Sequence, residues 1–141
     1  MKVFIIVLLA ICLFNTGCKP KTNMGTAKPF KRYASITGLN PDSVQVYKDL
    51  HAHTWPLVLK RIKECNIRNY SIYLKQIDGK PYLFSYFEYV GDDFNADMQK
   101  MAADPNTQKW WKRTDPTQIP LPDAAAKGKV WSDMEEVFHT E

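Results

Sequence analysis

The sequence is poor in cysteine, in charge of one sign and in long apolar runs, and each shortage removes a class of protein. Only three cysteines stand in 141 residues. Cys12 and Cys18 fall in the N-terminal segment, so the folded part contains only Cys65, which has no partner there and excludes a disulfide framework. Cys65 reads as a small apolar residue. The formal net charge is +4 and its residues are dispersed, so the clustered basic face that nucleic-acid binding needs is missing. The longest apolar run, residues 3–14, has twelve residues where a bilayer core needs about 20. Metal-ligand spacing is lacking as well, because His51 and His53 are two residues apart and do not share a helical face.

What the chain does have is ordinary globular composition, 45% hydrophobic and 24% charged, in a length suited to one domain. Aromatic residues are plentiful: four Trp, seven Tyr and seven Phe. Trp and Tyr carry polar groups that a core must satisfy and a binding site can use. Lys2, the apolar run over 3–14 and the small or polar Asn15-Thr16-Gly17 ahead of Cys18 have the layout of a secretory leader. The small residue before cysteine resembles a bacterial lipoprotein processing site. The pattern therefore predicts a leader over 1–17, lipidation of Cys18, a Lys-, Thr- and Pro-containing tether over 18–29, and an exported, membrane-anchored protein whose domain spans 30–141.

Periodicity within that domain changes in a definite order. Residues 30–39, FKRYASITGL, alternate as a strand does. Asn40-Pro41-Asp42 then gives a helix start, with Asn40 as cap and Pro41 where its missing N–H costs nothing. Val44, Tyr47, Leu50 and His51 share one helical face, Pro56 interrupts near Trp55, and the helical pattern resumes up to Asn66. IRNYSIYLKQ and PYLFSYFEYV follow as two strands, with Asp78-Gly79 between them as a hairpin signal. A second helix is predicted over 92–103 and continues through NTQKWWKR after Pro105. A proline-rich loop over 115–128 leads to a last alternating run, KVWSDMEEVF. The order is β-α-β-β-α-β, a ferredoxin-like α+β unit with both helices on one face of an antiparallel sheet. Its second face is too apolar to stay uncovered, which predicts a symmetric homodimer packed sheet to sheet.

YKDLHAHTWP, NYSIYL, QKWWK and MEEVF, in this order and at these separations, resemble the L-rhamnose mutarotase family over nearly all of 30–139. The resemblance implies a dimeric α/β-barrel enzyme, without cofactor, that interconverts the α and β anomers of L-rhamnose or a related deoxyhexose. By the family's motif His51 corresponds to an acid/base histidine, and Tyr47, Tyr70, Trp110 and Trp111 to sugar-contacting positions. Ala52 and His53 stand where members commonly carry asparagine and proline. Histidine suits the chemistry, since mutarotation needs one group that gives and takes protons near neutrality. No metal is required. His53 is expected to be exposed, Trp55 to serve packing, and one of Glu135 and Glu136 to face solvent. Two other functions fit this architecture: a non-catalytic sugar-binding lipoprotein, and a haem-handling or cofactor-free monooxygenase, since fold alone does not decide function.

Overall fold

The computed structural model describes residues 30–140. The leader expected over 1–17, the tether over 18–29 and Cys18 lie outside them. Lys31–Leu39 forms strand β1, after which the Asn40 side chain accepts from the Asp42 N–H at 3.1 Å and starts a 3-10 turn, Pro41–Ser43, that runs into α1, Val44–Ala52. Pro56 opens α2, Pro56–Glu64, at a position where its absent N–H has no helical partner to lose. Strands β2, Ile67–Ile77, and β3, Lys80–Tyr89, meet through Asp78 and Gly79, both at positive φ (48° and 74°), as a tight two-residue hairpin requires. Helix α3, Phe94–Ala102, is capped by Asp93, which accepts from the Ala96 N–H at 3.0 Å. Helix α4, Pro105–Thr114, is capped by Asp104, which accepts from the Thr107 N–H at 2.8 Å.

The end of the chain departs from the expected single long strand. It forms a two-residue strand β4, Gln118–Ile119, a short helix α5, Pro122–Ala125, and a three-residue strand β5, Ser132–Met134. Pro120 and Pro122 bring no N–H to a ladder, so pairing stops after Ile119 and resumes only beyond α5. Past Met134 the Arg32 guanidinium grips Glu136 in two hydrogen bonds, 2.6 and 2.9 Å, and Val137 and Phe138 are left exposed.

The result is a mixed α/β domain on one antiparallel sheet. β3 lies between β2 and β1, and the far edge of β1 is shared by β4, against Gly38 and Leu39, and β5, against Ala34 to Ile36. Leu39 and Leu83 on one face of the sheet meet Tyr47 of α1, with Val44, Ile72 and Trp131 packed around them. Alternation sends Ala34, Ile36, Tyr73, Phe84, Tyr86 and Met134 to the opposite face, where Tyr73 is 62% and Met134 45% exposed.

Gly38 sits where β1 passes β4. A Cβ built there would lie 2.8 Å from the Ile119 carbonyl oxygen, a backbone atom that cannot swing aside. Gly38→Ala is expected to destabilise the domain by about 1–3 kcal/mol, the usual cost of overpacking. Urea melts of the two proteins measure it, and a loss within about 0.5 kcal/mol, the size of a neutral surface change, contradicts the reading.

Candidate active site

A cavity of about 1130 Å³ opens between the sheet and helices α1 to α4, with residues 129–133 along one side. Ligand pockets commonly run roughly 300–1,000 Å³, so a monosaccharide fits with room to spare. His51, Tyr47, Tyr70, Trp110 and Trp111 all line it.

Local structure explains why these side chains converge. Tyr47 and His51 are one turn apart on α1 and stack, with ring centroids 4.1 Å apart and planes inclined by 26°. The His51 Nδ1–H donates to the Tyr47 carbonyl at 3.0 Å. A carbonyl can only accept, so the neutral imidazole carries its proton on Nδ1 and leaves Nε2 with a free lone pair. Trp110 of α4 meets His51 edge-on at 5.4 Å and meets Trp55 in the same manner at 5.4 Å. Trp55 thus braces the wall, and its outer face receives the Arg113 guanidinium at 5.8 Å. Tyr70 owes its place to a bulge in β2. The register shifts between Arg68 and Ser71, and Asn69 takes the left-handed conformation, φ 49°, with its side-chain N–H donating to Glu88 at 2.5 Å. A bulge re-aims side chains, and Tyr70 packs edge-on against Phe87 at 5.7 Å.

The electrostatics favour neutral groups. Burial draws the His51 pKa below 6.5 and outweighs the opposing hydrogen bond to the Tyr47 carbonyl, so the ring is uncharged at neutral pH. Burial likewise raises the Tyr47 phenol, helped by Tyr70 and by the Asp115 carboxylate nearby. Tyr70 exposes 43% of its surface, yet burial at its hydroxyl end pushes its pKa up to about 12. Both phenols therefore keep their protons and can donate hydrogen bonds.

Exposure separates the positions that the spacing brought together. Tyr47 is a member of the buried core at 5% exposure as well as a cavity residue. Trp110 and Trp111, neighbours in sequence, divide their work: Trp110 is 6% exposed and packed, Trp111 37% exposed. His53 is exposed and donates from Nδ1 to the Asp49 carbonyl at 3.0 Å, away from His51. Among the described residues no group of three or more His, Cys, Asp or Glu is placed to hold a metal ion. Sequence reasoning missed Asp115 and Trp131, both on the cavity wall. Asp115 lies four residues beyond Trp111, a spacing that would have drawn attention had the helix been expected to reach Thr114.

The family model for L-rhamnose mutarotase matches residues 32–140. The chain belongs to the L-rhamnose mutarotase family. It is 32% identical to the L-rhamnose mutarotase of Lactiplantibacillus plantarum over 108 residues, 77% of this chain and 96% of that protein. It is also 32% identical to that of Bacillus subtilis over 109 residues, 77% of this chain and 97% of that one. A crystal structure of an L-rhamnose mutarotase from Formosa agariphila superposes with a TM-score of 0.59 at 28% identity, covering 79% of this chain and 99% of that one.

The same comparison corrects the expectation of an exported, lipid-anchored protein. L-rhamnose mutarotases matched over 96% and 97% of their length contain almost nothing beyond the domain, so a signal peptide and the lipidated Cys18 have no counterpart in them. Twelve apolar residues ahead of a small residue and a cysteine form a short, permissive pattern, and it misled. Among the described residues no helix is long and apolar enough to cross a membrane.

Proposed function

We propose that this chain catalyses exchange between the α and β anomers of L-rhamnose, with His51 as a proton-transfer group. The observation that carries the assignment is the His51 ring in the aromatic cavity of a family member, neutral, tied through Nδ1 to the Tyr47 carbonyl and free at Nε2. Ring opening requires the anomeric hydroxyl to lose a proton while the ring oxygen gains one. A neutral imidazole with a free lone pair accepts the first. The open aldehyde turns about C1–C2 and recloses on its other face. Tyr47, Tyr70, Trp110 and Trp111 are assigned to the sugar: the phenols donate to hydroxyls, and the indoles offer flat faces to C–H groups. The decisive measurement is NMR anomer exchange of L-rhamnose with and without the protein, with L-fucose and D-glucose for comparison. Acceleration greatest for L-rhamnose supports the assignment, and none for any of the three refutes it.

The strand order β2-β3-β1-β4, antiparallel throughout, supports a ferredoxin-like unit, and the apolar outer face of its sheet supports a dimeric barrel. A sheet-to-sheet homodimer of this kind buries well over ~1,200 Å² in total. Light scattering during size-exclusion chromatography should give twice the monomer mass. A monodisperse monomer at micromolar concentration contradicts it.

A further inference from the structure

His51 supplies one proton movement, but ring opening involves two, at the two oxygens bonded to C1, and a second group that gives a proton as His51 takes one avoids a charged intermediate. With Nδ1–H committed to the Tyr47 carbonyl, a neutral His51 can take the anomeric proton and has none to give the ring oxygen. We propose that Asp115 is the second proton-transfer group of this cavity, acting on the ring oxygen while His51 acts on the anomeric hydroxyl. The assignment rests on the anomer-exchange reading of the site.

Three observations set Asp115 apart. It stands one helical turn beyond Trp111 and lines the same cavity as His51, with its carboxylate close enough to disfavour ionisation of the Tyr47 phenol. The acids that hold the fold together look different. Asp97 accepts from Asn66 at 2.7 Å and Tyr89 at 2.8 Å, Asp104 from the Thr107 N–H at 2.8 Å and Arg61 at 3.1 Å, and Asp123 from Ser132 at 2.5 Å. All three are held below the usual carboxylate range by those bonds. Asp115 has a single long hydrogen bond among the described residues, 3.4 Å from the Thr114 hydroxyl, and no ion pair. It also occupies the C-cap of α4, the negative end of the helix dipole, where a carboxylate is disfavoured and a basic side chain is the usual choice. The 3-10 turn Asp115–Thr117 begins at the same residue, and among the described residues the carboxylate makes no hydrogen bond there beyond the long one to Thr114.

Partial burial raises the Asp115 carboxyl toward holding a proton, and a sugar that displaces water from the cavity pushes in the same direction. The step then balances. His51 Nε2 takes the proton from O1, the O1–H electrons form the C1=O1 double bond, the C1–O5 bond breaks, and O5 takes the proton from Asp115. Reclosure returns both protons, and neither group is changed after a full cycle.

The test compares wild type with Asp115→Asn, Asp115→Glu and Asp115→Ala by NMR exchange of L-rhamnose, alongside L-rhamnose titration followed by tryptophan fluorescence. Asp115→Asn keeps shape and polarity and loses only the transferable proton. It should bind L-rhamnose within about threefold of wild type and exchange it roughly 10²-fold more slowly, the low end of general acid–base effects. Asp115→Glu should recover part of the rate, and sodium formate should rescue Asp115→Ala after subtraction of its effect on the free sugar. Asp115→Asn at the wild-type rate overturns the proposal. So does a loss in Asp115→Ala that formate leaves untouched while sugar binding falls in parallel, because that pattern belongs to a positioning defect. Failure of the broader reading looks different: wild type itself then gives no acceleration, and the role of Asp115 falls with it.

Discussion

Replacing His51 by alanine should lower the rate of L-rhamnose anomer exchange by roughly 10²- to 10⁴-fold, the range of a lost general acid–base group. The half-buried ring stacks on Tyr47 and touches Trp110 only by its edge, so its removal should cost on the order of 1 kcal/mol of stability, as a typical point change does. The pH dependence separates this from a packing effect. Burial holds the His51 pKa below 6.5, so the ring is neutral and able to accept at pH 7. As pH falls through that lowered value Nε2 becomes protonated and can no longer take the anomeric proton. Loss of the free Nε2 should therefore give the wild-type profile an acidic limb, distinct from any fall at higher pH as Asp115 loses its proton, and His51→Ala should lack that limb. A folded His51→Ala protein with full exchange activity would remove His51 from the mechanism while leaving the family assignment intact.

Much of the scaffold that delivers His51 is written locally. Asn40, Asp93 and Asp104 cap their helices through their own side chains, Pro56 and Pro105 restart helices where the pattern breaks, and Asp78-Gly79 turns the hairpin. The stacking of His51 on Tyr47 follows from a four-residue helical spacing. Features that depend on partners distant in sequence were not legible. The bulge at Asn69 that turns Tyr70 toward the cavity depends on pairing with β3 and on Glu88, nineteen residues away. The course of the chain past Met134 depends on Arg32, 104 residues away in sequence but on the neighbouring strand β1, which holds Glu136. Asp115 was hidden by its setting, a proline-rich stretch that reads as loop although its first residue caps α4. The N-terminal run failed in the opposite way, since a targeting pattern is purely local and has no packing to test it.

The division between Trp110 and Trp111 gives the second large effect. Periodicity places adjacent helical residues about 100° apart and so predicts divergence without saying which indole goes inward. Trp110 is 6% exposed and wedged between His51 and Trp55, so Trp110→Ala removes a buried ring and leaves a cavity behind it. The expected loss is about 3–5 kcal/mol of stability, enough to shift a urea midpoint far beyond error. Exchange should fall too, because His51 loses the edge contact that limits its tilt, and Trp110→Phe should restore much of both by refilling the space. Trp111, 37% exposed on the cavity wall, has less packing to lose. Trp111→Ala should stay within about 1 kcal/mol of wild type in stability. Its defect should appear as a raised dissociation constant for L-rhamnose with the bound exchange rate little changed, since stacking on the sugar acts equally in ground and transition states. If instead Trp111→Ala unfolds readily and Trp110→Ala melts as wild type does, the two indoles have been assigned the wrong way round.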